Sequence, residues 1–108
     1  MNYNEIFNSI DREATDYAYK TEGENVMIFP CGFASIRFPR KDYRHDPFIK
    51  WMDEHGILGN DSYAKCYYIW VGKFNQSMNH KFAYAQKFVE LIKEHVKNQT
   101  VYAWQQCD

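Results

Sequence analysis

The chain has 108 residues, enough for one domain, and 45% of them are hydrophobic and 19% aromatic. The net charge of −1 excludes a strong global field towards nucleic acid or acidic membranes, and it disfavours a wholesale DNA mimic. No apolar run approaches the roughly 18 residues that span a bilayer. The acidic, polar start MNYNEIFNSIDRE does not read as a signal peptide.

Residues 3–19 place Tyr3, Ile6, Phe7, Ile10, Ala14 and Tyr17 at helical spacing, which predicts an amphipathic helix ended by Gly23. Its acids, Glu5, Asp11, Glu13, Asp16, Glu22 and Glu24, outnumber Arg12 and Lys20. Residues 26–38 are strand-like and interrupted by Pro30 and Gly32, as one bent strand or as a tight hairpin. Residues 39–45 read as a basic loop. Asp46-Pro47 is a helix start, an acidic cap followed by proline at the first position. That helix presents Phe48, Trp51, Met52 and His55 and stops at Gly56.

Gly59, Asn60, Asp61 and Ser62 predict a turn, and Tyr63–Val71 a central strand rich in β-branched and aromatic residues. Ser77 is placed to cap a last helix. Met78, Phe82, Ala85, Val89, Ile92 and Val96 form its core stripe, which Tyr84, Phe88 and Leu91 widen. Thr100–Trp104 reads as a final strand. The expected fold is one α+β domain over 1–108. It has an acidic helix over 1–22 and a sheet-and-helix body over 26–108, in the order α-β(β)-α-β-α-β. Three helices lie mostly on one face of a three- to four-stranded sheet.

Two places concentrate polar groups. Asn75, Gln76, Ser77 and Lys81 sit where strand passes into helix, and free N–H groups at a helix start favour an anion. Plain capping by Ser77 explains the same residues more simply. The second place is the basic stretch, where Arg37, Arg40 and Arg44 interleave with Phe38 and Tyr43. Arginines among aromatics suit single-stranded nucleic acid, while a solvated loop is the ordinary alternative.

Other chemistries rank low. His45, His55, His80 and His95 stand alone, as do Cys31, Cys66 and Cys107, so no metal-ligand spacing is present. Three widely spaced cysteines give no disulfide framework and fit a reducing compartment. Cys31 or Cys66 with a histidine base is a weak enzyme reading, because free cysteines are usually buried and inert. No cofactor motif occurs.

Several short motifs occur in a characteristic order. They are Cys31-Gly32-Phe33-Ala34, Trp51, Tyr68-x-Trp70-Val71, Asn75-Gln76-Ser77-Met78, Lys81-x-Ala83-Tyr84-Ala85, and Tyr102-Ala103 ahead of Asp108. Together they resemble small uncharacterised proteins encoded by tailed phages and prophages, over about residues 26–108. The chain departs from that pattern at Ser35, where an aromatic is expected. It departs again at Gln105-Gln106-Cys107-Asp108, where the pattern has a Ser-Arg-Met-Asp-like tail. The resemblance implies a small accessory phage protein in the cytoplasm of an infected bacterium. The expected role is non-enzymatic: binding and occluding a host defence complex, of the anti-CRISPR or another anti-defence type. The alternative is a nucleic-acid or phosphate-binding module using residues 37–44 and 75–81. A further alternative is a homo-oligomer that pairs through its last strand, and the oligomeric state is left between monomer and homodimer.

Overall fold

The computed structural model describes residues 2–23, 32–74 and 77–107. The question of a bent strand or hairpin over 26–38 therefore falls partly outside the described residues. Helix α1 runs Tyr3–Glu22. The Asn2 side chain accepts from the Glu5 N–H at its start, and Gly23, at φ 92°, ends it by donating to the Tyr19 carbonyl. Strand β1 is Gly32–Pro39, followed at once by the short helix α2, Arg40–Tyr43, and by α3, Pro47–Glu54. Asp46 caps α3 as expected, accepting from the Phe48 and Ile49 N–H groups. Strands β2, Gly59–Asp61, and β3, Cys66–Trp70, form a hairpin; α4 is Met78–Ile92 and β4 is Tyr102–Cys107.

The sheet is antiparallel with the order β2-β3-β1-β4. Each helical crossover skips one strand, so the connectivity is a double split β-α-β, the ferredoxin-like arrangement. The helices cover one face. Ala34, Ile36, Phe38 and Ile69 point into a core that they share with Phe48, Met52, Ala85, Phe88 and Ile92. Helix α1 packs mainly on α4 through Ile10, Ala14 and Ala18. Its rings reach further, with Tyr3 stacked on Phe48 and Phe7 edge-on to Phe88. The α+β class, the single small domain and the one-sided helical layer are as the sequence predicts, while the order of elements gains a short helix after β1 and a strand before β3.

Local details differ from the sequence reading. Residues 40–43 form a helical turn where a loop is expected, closed by the Arg44 N–H on the Arg40 carbonyl. Residues 59–61 are a strand rather than a turn. The turn falls later, where the Asp61 carboxylate accepts from the Ala64 N–H and Lys65 takes a positive φ of 54°. Tyr63 is consequently at a hairpin tip, not in a strand, and is almost wholly exposed. The last strand starts at Tyr102, two residues later than expected; just before it the Val101 N–H donates to the Tyr43 hydroxyl and not to a neighbouring strand. On α4 the deepest positions are Ala85, Phe88 and Ile92, while Met78 and Phe82 lie at the margin.

Candidate functional site: the open face of the sheet

Because side chains alternate along a strand, everything not pointed at the helices stands on the opposite face. On β1 these are Phe33, Ser35 and Arg37. Cross-strand partners share a face, and the register sets Ser35 between Trp70 and Trp104, and Arg37 between Tyr68 and Tyr102. No helix among the described residues covers this side. The result is an open groove of about 390 Å³, lined chiefly by Phe33, Ser35, Arg37, Tyr68, Trp70 and Trp104.

The geometry is organised around small residues. Ser35 forms the floor between the two tryptophans and is 1% exposed, while Trp70 beside it is 49% exposed. The Phe33 and Trp70 rings meet at 5.3 Å between centroids. Gly59 lets the Tyr68 ring lie across β2, since a Cβ there would overlap it. Arg37 folds back over the sheet. Its Nε donates to Ser35 Oγ at 3.2 Å, its guanidinium carbon lies 3.9 Å from the Trp104 ring centroid, and Nη2 is 3.9 Å from Asp61. Four aromatic rings thus line one groove with a cation held between Trp104 and Asp61, and Tyr63 also lines it. Such a surface takes planar groups by stacking and an anion by charge.

Cys66 lies at the edge of this face. Burial pushes its thiol above the ordinary value, against the opposing pull of Arg37. It is held as a neutral thiol, which counts against a nucleophilic role. Cys31, the other cysteine considered for that role, lies outside the described residues. Among the described residues no three His, Cys, Asp or Glu groups converge to hold a metal ion, and no helix is long and apolar enough to cross a membrane.

The strand–helix junction is turned inward. Ser77 caps α4, accepting from the His80 N–H at 3.4 Å. Its Oγ is also 2.6 Å from His80 Nδ1, and His80 Nε2 is 2.8 Å from the Gly23 carbonyl. A carbonyl only accepts, so Nε2 carries the proton and Nδ1 accepts from the Ser77 hydroxyl. Ser77, His80 and Lys81 are all buried, and the Lys81 ammonium donates to the Gly32 carbonyl at 3.3 Å. These groups fasten α4 to the end of α1 and the start of β1. Asn75 and Gln76 lie outside the described residues.

The basic stretch is divided between two faces. Tyr43 is fully buried, edge-on to Phe38. Its hydroxyl donates to the Asn98 carbonyl at 2.6 Å and accepts from the Val101 N–H at 3.1 Å. It is a core staple and not a ring offered to a partner. Arg37 belongs to the open face. Arg40 binds the Asn60 side chain, and Arg44 is exposed beyond α2. Lys81 touches the first residue of β1, while Arg37 is five residues further along it and Arg40 eight, so at about 3.4 Å per residue roughly 17 to 27 Å separates the two proposed clusters. They do not form one site.

Sequence reasoning passed over Phe33, Tyr68, Trp70 and Trp104 as binding groups. A signal was present, since Ala34, Ile36 and Phe38 alternate with Phe33, Ser35 and Arg37. Compared with known proteins, the chain matches no family model, no curated protein and no solved structure.

Proposed function

We propose that this protein is a binding module that takes single-stranded nucleic acid on the open face of its sheet. The observation that carries the reading is the row Trp70–Ser35–Trp104, with Arg37 held against Trp104. Bases stack on exposed rings whatever their sequence, and an arginine among them meets the backbone. RNA-recognition domains use a four-stranded sheet in this way, with aromatics on the central strands; the parallel is one of architecture. Charge placement supports it. The exposed acids Glu5, Glu13, Asp16 and Glu22 belong to α1 in the helical layer, on the far side from the groove. The near-zero net charge therefore conceals a face without an acidic majority.

The test is anisotropy of labelled 12-nucleotide DNA and RNA strands across a salt series. Binding with a negative salt slope and quenching of tryptophan fluorescence are expected. Absence of both at low salt overturns the reading.

A second reading keeps the face and changes the partner. Trp, Tyr and Arg are the residues that dominate protein interface hot spots, and here they cluster with Tyr63 and Tyr102 exposed beside them. With the resemblance to small phage-encoded proteins, this supports occlusion of a host defence complex inside an infected bacterium. Failure to bind oligonucleotides, together with a host complex whose inhibition is lost in Trp70→Ala, favours it.

A further inference from the structure

We propose that a second pocket, between α2 and the β2–β3 turn, is a binding site for a phosphoryl group. It is about 420 Å³ and is lined by Pro39, Arg40, Lys41, Arg44, Ala64 and Lys65. Four of these six residues are cations and none is an acid. Among the described residues the ion pairs are Arg37–Asp61, Lys73–Asp11 and Lys87–Glu90, so none of the four cations is neutralised.

Three further features set this pocket apart from a solvated basic surface. Lys65 adopts φ 54°, a conformation that suits glycine or asparagine and that lysine seldom takes. That conformation turns the chain so that Lys65 lines the same pocket as Arg40, Lys41 and Arg44. The Lys65 carbonyl accepts from the Arg40 N–H at 3.0 Å, which fixes the two cation-bearing segments against each other. The guanidinium of Arg40 is only partly satisfied. Nη2 bonds Asn60 Oδ1 and, at 3.5 Å, the Asp61 carbonyl, while its buried Nε has no hydrogen-bond partner. A neutral occupant leaves four like charges facing one another. An oxyanion with several acceptor oxygens relieves that repulsion and can accept from the exposed cationic groups of Lys41, Arg44 and Lys65.

The pocket adjoins the groove across one turn. Asp61, Ser62 and Tyr63 line the groove, and Ala64 and Lys65 line the pocket. A phosphate of a strand lying on the sheet therefore reaches it without leaving the surface. A free phosphate or the phosphate of a nucleotide presents the same chemistry. The inference stands on the pocket's own residues and does not depend on the sheet-face reading.

The experiment is an amide NMR titration of the full chain at constant ionic strength with inorganic phosphate, pyrophosphate, or sodium chloride as control. Saturable shifts at residues 40–44 and 64–65 are expected with the phosphates alone. Lys65→Asn suits the backbone yet lacks the ammonium. It should weaken pyrophosphate at least fivefold while leaving the melting temperature unchanged or higher. Lys41→Gln/Arg44→Gln should do the same without loss of fold. Shifts that track ionic strength for any anion, or that persist unchanged in both variants, overturn the proposal. Two oligonucleotides, with and without a 5′-phosphate, identify the source. A preference for the phosphorylated strand that disappears in Trp70→Ala marks a nucleic-acid phosphate. A response to pyrophosphate alone, unchanged in Trp70→Ala, marks a free phosphate and separates this site from the sheet face.

Discussion

Arg37 lies over the face of Trp104, with the guanidinium carbon 3.9 Å from the ring centroid. This stacking holds a long, mobile cation flat against the sheet, where its Nε also donates to the buried Ser35 Oγ. Removing the ring as a stacking platform should cost about 1–3 kcal/mol, roughly 5- to 150-fold in Kd for a single strand. Trp104→Ala and Trp70→Ala should each show this by anisotropy. Arg37→Ala should also flatten the salt dependence by about 0.7 in slope for each phosphate it no longer neutralises.

Gly59→Ala tests the groove without touching a ring. The added methyl overlaps the Tyr68 ring, which is the far end of a side chain free to swing towards solvent. Stability should fall by about 1–3 kcal/mol at most. Strand binding should fall with it if Tyr68 is part of the platform. Urea unfolding and anisotropy on the same sample separate the two effects.

Tyr43→Phe removes a hydroxyl that joins α2 to the segment before β4. The Val101 N–H is buried and is left without its acceptor, which costs about 1–3 kcal/mol. The urea midpoint should drop while affinity for oligonucleotides stays unchanged, because the ring does not face the groove.

High pH should destabilise the protein. Burial raises the Tyr84 phenol far above its ordinary value, reinforced by its hydrogen bond to Asp11 and by that carboxylate's charge. Burial also raises Tyr43, against the opposing hydrogen bonds from Val101 and Thr100. The folded values exceed the unfolded value of about 10, so the fold retains protons that the unfolded chain releases. Stability is complete below about pH 10 and declines as pH rises beyond it. Denaturant melts from pH 8 to 11 should show the decline, and Tyr84→Phe should flatten it.

Ser77→Ala removes the α4 cap and the hydroxyl bonded to His80. A loss of about 0.5–2 kcal/mol is expected in urea melts. Binding of phosphate or of a single strand should not change. A selective loss of anion binding in this variant would return the strand–helix junction to consideration as a site.

The elements whose signals are local can be read from the chain alone. Helical spacing from Tyr3 to Tyr17, the Asp46-Pro47 start and the Ser77 cap each act within a turn or two of the chain. Those helices stand where the spacing predicts them. The alternation through Ala34, Ile36 and Phe38 belongs to the same class. Which polar and aromatic groups share a surface is settled only when the layers pack. Tyr43 looks available in sequence, but its hydroxyl finds partners at Asn98 and Val101 once the layers close, and the Ser77 cap gains a second bond to His80. Trp70 and Trp104 are 34 positions apart in the chain and become neighbours of one buried serine only through strand register. Lys65 joins Arg40, Lys41 and Arg44 only because a hairpin turn folds back beside α2. Burial and cross-strand pairing are long-range effects, and no window of adjacent residues carries them.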